Sequence, residues 1–191
     1  VPDPVDPRAP AEAAASDPAV RRVIDAAARR GVRLEIHELA DTTHTAEDAA
    51  RALGVGQAQI VKSLVFVAPA GDGRLEPIIC LVAGTNRVSL ALLAAVTGEA
   101  GVRRATAREA RELTGYSIGG IPPLGHLRPV RVVMDPDLGR YAEVWAAAGH
   151  DRSVFPISPA ALRALTSATV AEIAEDPSTG SPARGLTAPG S

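Results

Sequence analysis

Lysine is almost absent from this chain of 191 residues: Lys62 stands alone beside nineteen arginines. On a wet surface the two cations interchange freely, but a compact, strongly hydrated ammonium fits sites that a planar guanidinium does not. Chance is the plainer explanation, with the Lys62 stem lying along apolar surface and its head in water. Cysteine is equally scarce. The single Cys80 excludes an internal disulfide framework and fits a reducing compartment. Aromatic residues make up only 3% of the chain, so a core must be built from Ala, Val, Leu and Ile. No apolar run approaches the roughly 18 residues of a membrane span, and no basic-then-apolar leader opens the sequence. The expectation is a cytoplasmic protein without membrane contact. The first residue is Val1 rather than Met, as expected of a processed or trimmed start.

Metal and nucleotide signatures are missing as well. There is no CxxC, no HExxH, no phosphate loop ending in Gly-Lys-Ser and no GxSxG. The four histidines, His37, His44, His126 and His150, are scattered. No metal or cofactor is expected. The formal net charge of −2 is concentrated in the first residues, leaving about +1 on residues 20–175. Such a body lacks the pervasive basic charge of a nucleic-acid-binding protein, and only a local patch is open to it.

What is present divides into a tail over residues 1–17, rich in Pro, Ala and Asp, a body over 18–175, and a second tail over 176–191. Both tails have the composition of disordered segments. Asp17-Pro18 predicts a helix to about residue 30, stopped by Gly31. Residues 32–39 alternate as a short strand. Thr45 caps a helix closed by Gly54, and residues 59–68 and 77–83 form a hairpin around Gly71-Asp-Gly. In its first strand Ile60, Lys62, Leu64 and Phe66 share one face, while Val61, Ser63, Val65 and Val67 share the other. An ammonium among large apolar residues is costly unless it meets water, a carboxylate or an anion. Cys80, mid-strand, is expected to be a small buried apolar residue.

Further on, Ser89 and Thr106 cap two helices, the second completed as a capping box by Glu109. Strands are predicted over 102–105, 129–134, 141–147 and 153–157, a helix from Ser158, and a final strand or turn over 169–173. Regular β-α alternation is absent. The reading is therefore α+β: one compact domain with a mostly antiparallel or mixed sheet, or a partial barrel, surrounded by helices.

Between residues 114 and 126 runs Thr-Gly-Tyr-Ser-Ile-Gly-Gly-Ile-Pro-Pro-Leu-Gly-His, with four glycines and two adjacent prolines. Glycine lets a ligand approach the main chain, and the prolines stiffen the bend while removing two donors. Such a loop is either a structural turn or a main-chain site for an anion or developing oxyanion.

Three segments in order, Ala46-Glu-Asp-Ala-Ala-Arg-Ala-Leu-Gly, Gln59-Ile-Val-Lys-Ser-Leu-Val-Phe and the 114–126 loop, make the body resemble the YbaK/ProX-type aminoacyl-tRNA deacylases. These are free-standing relatives of the editing domain of bacterial prolyl-tRNA synthetases. The resemblance covers roughly residues 20–173. It implies hydrolysis of the ester joining a wrong, small amino acid to tRNA, often tRNA for proline. The implied partners are the 3′-terminal CCA end of an aminoacyl-tRNA and prolyl-tRNA synthetase. Lys62 matches the family's strand lysine, and residues 119–123 match its GxxxP loop. The implied catalytic groups are Lys62 and the main chain of Gly119 and Gly120, with the Lys62 ammonium turned toward the loop. The implied substrate-binding wall comprises Leu39, His44, Thr45, Tyr116, Ile121, Pro122, Pro123, Ala148, Gly149 and His150. The attacking water is expected to be positioned by the substrate's own 2′-OH and main-chain groups, consistent with a sequence that offers no obvious base or nucleophile. Two departures stand out. Ala147 replaces the serine of a common Ser-Ala-Gly, and Leu39 and Thr45 stand where some relatives carry aromatics. A non-catalytic RNA 3′-end or nucleotide-binding module on the same fold is the alternative.

Overall fold

The computed structural model describes residues 16–39 and 45–176. His44 lies outside them, as do the expected tails except for Ser16, Asp17 and Asp176. Helix ends follow the capping chemistry in the sequence. In α1 (Pro18–Ala28) the Asp17 carboxylate accepts the Ala19 amide at 2.7 Å, and Pro18 occupies the first turn. Thr45, Ser89, Thr106 and Ser158 cap α2 (Ala46–Leu53), α3 (Leu90–Thr97), α4 (Ala107–Thr114) and α5 (Pro159–Thr166). In α4 the capping box with Glu109 is complete, and Arg103 grips the same carboxylate at 2.7 and 2.8 Å.

Among the described residues eight strands form one mixed sheet: β1 (His37–Glu38), β2 (Ile60–Pro69), β3 (Leu75–Ala83), β4 (Arg103–Arg104), β5 (Arg131–Met134), β6 (Val144–His150), β7 (Ser153–Ile157) and β8 (Thr169–Val170). The path runs β1-β7-β6-β2-β3-β5-β8, with β4 added to the β6 side of β2. The β2–β3 hairpin is antiparallel over its whole length, while β2–β6, β3–β5 and β5–β8 are parallel. The α+β reading with a mixed sheet therefore holds, and the segment at 169–173 contributes a paired strand. Two strands differ from expectation. Residues 32–39 pair only at His37 and Glu38, where β7 offers its partners. The strand expected over 141–147 starts later, at Val144, because residues 136–140 form a 3₁₀ turn that Tyr141 closes.

The alternation in β2 decides which layer each side chain joins. Val61, Val65 and Val67 enter the larger core with Val20, Val23 and Ala27 of α1, Leu113 of α4 and Leu162 of α5. Phe66 and, less deeply, Leu64 enter a second core on the other face with Cys80, Leu93 of α3 and Ile173. Ile60 joins a third with Leu39, Leu53 of α2 and Trp145. Cys80 is fully buried, and burial pushes its thiol up to about 12, so it is an apolar core residue without nucleophilic character.

Candidate active site

The sheet has an opening. Along one edge β2 pairs with β6 through Val61 and with β4 from Phe66 onward. Between these points the only strand-edge contact among the described residues is the Val65 carbonyl, which accepts the Ala105 amide at 3.0 Å. Strand peptide groups alternate in direction, so the amide and carbonyl of Ser63 point the same way as those of Val65, into the opening. The Ser63 hydroxyl is buried there without a hydrogen-bond partner among the described residues. Buried polar groups are nearly always satisfied, and an exception marks a place where something else belongs.

A cavity of about 410 Å³ occupies this opening, within the range of small-molecule sites. Consecutive β2 residues from Ile60 to Val65 line it, so it reaches both faces of the sheet. Small apolar residues, Ala46 and Ala49 of α2 and Ala147 of β6, form part of the wall together with Trp145 and Val154. Lys62 and Arg104 supply its cations and Asp151 its carboxylate. Gly119 and Ile121 cover it from the loop, and Ile118, 58% exposed, stands at the rim.

Lys62 is half-buried and donates to the main-chain carbonyl of Asn86. Its ammonium is held below the usual lysine range, first by loss of water and then by the positive charges of Arg104 and Arg87. Three cations gathered with no carboxylate bonded to the lysine among the described residues make an environment that favours an anion. The ammonium is therefore directed to the turn after β3 and not to the 119–123 loop, which corrects the expected orientation. Lys62 leaves β2 on the α3 face, whereas Ile121 packs on the α1 face, and the two meet only because the cavity passes through the opening.

The loop itself is tightly held. The Tyr116 hydroxyl donates to the Gly125 carbonyl at 2.8 Å, and Arg22 of α1 lies 4.6 Å over the Tyr116 ring while donating to the Gly115 carbonyl at 2.9 Å. Gly119 has φ +101°, and a Cβ there would stand 3.9 Å from Cβ of Asp151. Gly120 is different. Its amide donates to the Ser117 carbonyl at 3.1 Å, and a Cβ would come within 2.8 Å of the His150 backbone.

Residues 40–165 match the aminoacyl-tRNA editing domain family. The chain belongs to that family. Proteins of two kinds resemble it. A proline–tRNA ligase of Xanthomonas oryzae is 37% identical over 102 residues, 53% of this chain but only 17% of the ligase. A free-standing protein of Enterococcus faecalis, provisionally named a Cys-tRNA(Pro)/Cys-tRNA(Cys) deacylase, is 26% identical over 68% of this chain and 76% of its own length. A crystal structure described provisionally as a trans-editing enzyme for prolyl-tRNA synthetase superposes with TM-score 0.76 at 45% identity, covering 84% of this chain and 99% of the other. The family resemblance read from the three sequence segments is thus shown.

Within this editing domain the predicted site residues divide. Lys62, Gly119, Ile121 and Thr45 line the cavity. Leu39 and Tyr116 are core residues behind it, and Ala148 is fully buried. Gly149 packs on α1, where a Cβ would meet the Ala19 carbonyl oxygen at 2.9 Å, and Gly120 packs on His150. Pro123 lines a separate groove with His126, and neither Pro122 nor His150 is among the cavity's lining residues. Ser63, Arg104, Asp151, Ala46 and Ala49 line it and were not anticipated as site residues. The serine and aspartate carry no motif of their own. The signal for Ser63 lay only in its position next to Lys62 on an otherwise apolar strand.

Proposed function

We propose that this chain hydrolyses the ester of a mischarged aminoacyl-tRNA, with a small wrong amino acid on tRNA for proline as the preferred substrate. The observation that carries the reading is the cavity in the β2 edge, which brings cations, a glycine main chain and small apolar residues together at one opening. An aminoacyl-tRNA terminus offers a phosphodiester, an ester carbonyl and a side chain. Lys62 and Arg104 suit the phosphodiester or the ribose hydroxyls. The Gly119 amide suits the ester oxygen as negative charge develops on it. The apolar wall of Ala46, Ala49 and Ala147 suits a short side chain. A hydrophobic pocket discriminates weakly between neighbours differing by one methylene, so several small amino acids are expected to be accepted.

No histidine or cysteine lines the cavity among the described residues. An activated ester needs mainly orientation and oxyanion stabilisation, and the substrate's own 2′-OH can position the attacking water. The 3′-terminal CCA end is then the recognised element, and prolyl-tRNA synthetase is the enzyme whose errors are corrected. Residues 18–175 constitute the functional domain. The test is incubation with tRNA for proline carrying Cys, Ala, Ser or 2-aminobutyrate, alongside Ala and Ser on other tRNAs. Release of the small amino acid from tRNA for proline at catalytic protein concentration is expected. Tight binding of the tRNA 3′ end without hydrolysis of any member would instead support a binding module.

A further inference from the structure

The charged side chains of the cavity wall come from different elements. Lys62 and Arg104 enter from β2 and β4, and Arg87 adds its field to theirs. Among the described residues Asp151 is the only carboxylate that lines the cavity, and it enters from the turn between β6 and β7. Its neighbour in the wall is Gly119, at whose position an added Cβ would lie 3.9 Å from the Asp151 Cβ. The carboxylate oxygen Oδ1 lies 2.8 Å from Nδ1 of His150, the nitrogen that accepts the Arg152 amide at 3.3 Å. Asp151 sits on this short turn with its side chain 30% exposed.

The substrate class is bipolar in the same sense. An aminoacyl ester carries a phosphodiester on the ribose side of the ester and an α-ammonium one carbon beyond the ester carbonyl. If the Gly119 main chain addresses the carbonyl, the next group along the amino acid is the ammonium, and the next charged wall residue is Asp151. We propose that Asp151 recognises the α-ammonium of the aminoacyl group and so restricts the site to amino acids with a free amine. This rests on the deacylase reading of the cavity. A charge-assisted contact between ammonium and carboxylate is directional and stronger than a neutral hydrogen bond. An acylated amine loses the charge and adds bulk on the side of the Asp151 turn. The selectivity follows from the product's chemistry too: N-blocked and peptidyl esters, which share the same linkage, are spared.

The test uses the full chain and paired ligands. One pair is Ala-tRNA and N-acetyl-Ala-tRNA, read by hydrolysis. The other is the hydrolysis-resistant 3′-alanylamido-3′-deoxyadenosine 5′-phosphate and its N-acetyl form, read by calorimetric binding. The free-amine member of each pair is expected to be preferred by about 10- to 100-fold. In Asp151→Asn, which keeps the shape, the preference should fall to within about twofold, through weaker use of the free amine with the acetylated form unchanged. Equal use of both forms by the wild-type protein overturns the proposal while leaving the deacylase reading intact. So does a full preference retained by Asp151→Asn. Neither hydrolysis nor binding of any of the four ligands overturns the deacylase reading and this proposal together.

Discussion

Lys62 donates through its ammonium to the main-chain carbonyl of Asn86, and Asn86 is itself tied through its side-chain amide to Asp137 at 2.8 Å. The lysine thus meets a turn that is fixed by a second strand-end element. A guanidinium at the same place must seat a wider, planar head at one carbonyl beside Arg104 and Arg87. Lys62→Ala is expected to slow deacylation by about 100-fold or more with an unchanged circular dichroism spectrum. Lys62→Arg is expected to recover little of it. Wild-type turnover by Lys62→Arg on the preferred mischarged tRNA would remove the argument for a compact ammonium.

Gly119 and Gly120 are adjacent but are expected to fail differently. Gly119 has φ +101° with free space where a Cβ would go, so Gly119→Ala forces a backbone shift costing about 1–3 kcal/mol without a clash. Its hydrolysis rate should fall about 100-fold while the fold persists. Gly120→Ala drives a Cβ to 2.8 Å from the His150 backbone, so its first effect should be a lower melting temperature. Ser117→Ala and His126→Ala should retain substantial activity, since neither residue lines the cavity. An inactive Ser117→Ala beside a fully active Gly119→Ala would point to side-chain catalysis.

Tyr116 closes the loop from behind. Tyr116→Phe removes the bond to the Gly125 carbonyl and keeps the ring under Arg22. A loss of about 1 kcal/mol is expected, which lowers the melting temperature of a domain this size by about 2–4 °C. Arg22→Ala, which also gives up the bond to the Gly115 carbonyl, should cost more. Thermal melts of both variants decide this, and a Tyr116→Phe melt identical to wild type would mean that the loop is held by packing alone.

His126 sets a pH dependence. Burial lowers its pKa from 6.5 to about 4, against a smaller opposing effect of the Pro123 backbone. The unfolded chain takes up a proton as pH falls through 6.5, while the folded chain does not until about 4. Stability from this group is therefore complete above about 6.5 and declines between 6.5 and 4, by up to about 3 kcal/mol. Glu109, held down to about 2 by Arg103 and the Thr106 amide, acts in a lower window, below 4.5. Urea denaturation of wild type and His126→Gln at pH 7 and pH 4.5 should show a stability gap that narrows on acidification. Parallel losses in the two proteins would exclude His126 as the source.

Local chemistry made much of the fold readable. Asp17, Thr45, Ser89, Thr106 and Ser158 cap helices where the sequence places them, and Gly54, Gly98 and Gly115 end helices in left-handed conformations. The two faces of β2 were readable because alternation is a property of one strand. The opening beside Ser63 was not, since it depends on β6 and β4 reaching the same edge from more than 35 residues away on either account. Arg104 and Asp151 become site residues only through that pairing. Tyr116 illustrates the converse: a glycine loop suggests that its aromatic faces the ligand, but α1 packs against the loop and takes the ring into the core.

The unpaired stretch of β2 has a consequence beyond the site. Exposed strand edges invite another chain to add its own strand, which is a route to aggregation. Here β6 and β4 bracket the open edge, leaving only the stretch between Val61 and Val65 unmatched there among the described residues. That window is shorter than a typical strand of five or six residues, and its ends are blocked by neighbours already in register. A foreign strand finds too little ladder to join, whereas a small molecule needs only one or two peptide groups. The gap proposed as the ligand site therefore screens out polymerisation by its length.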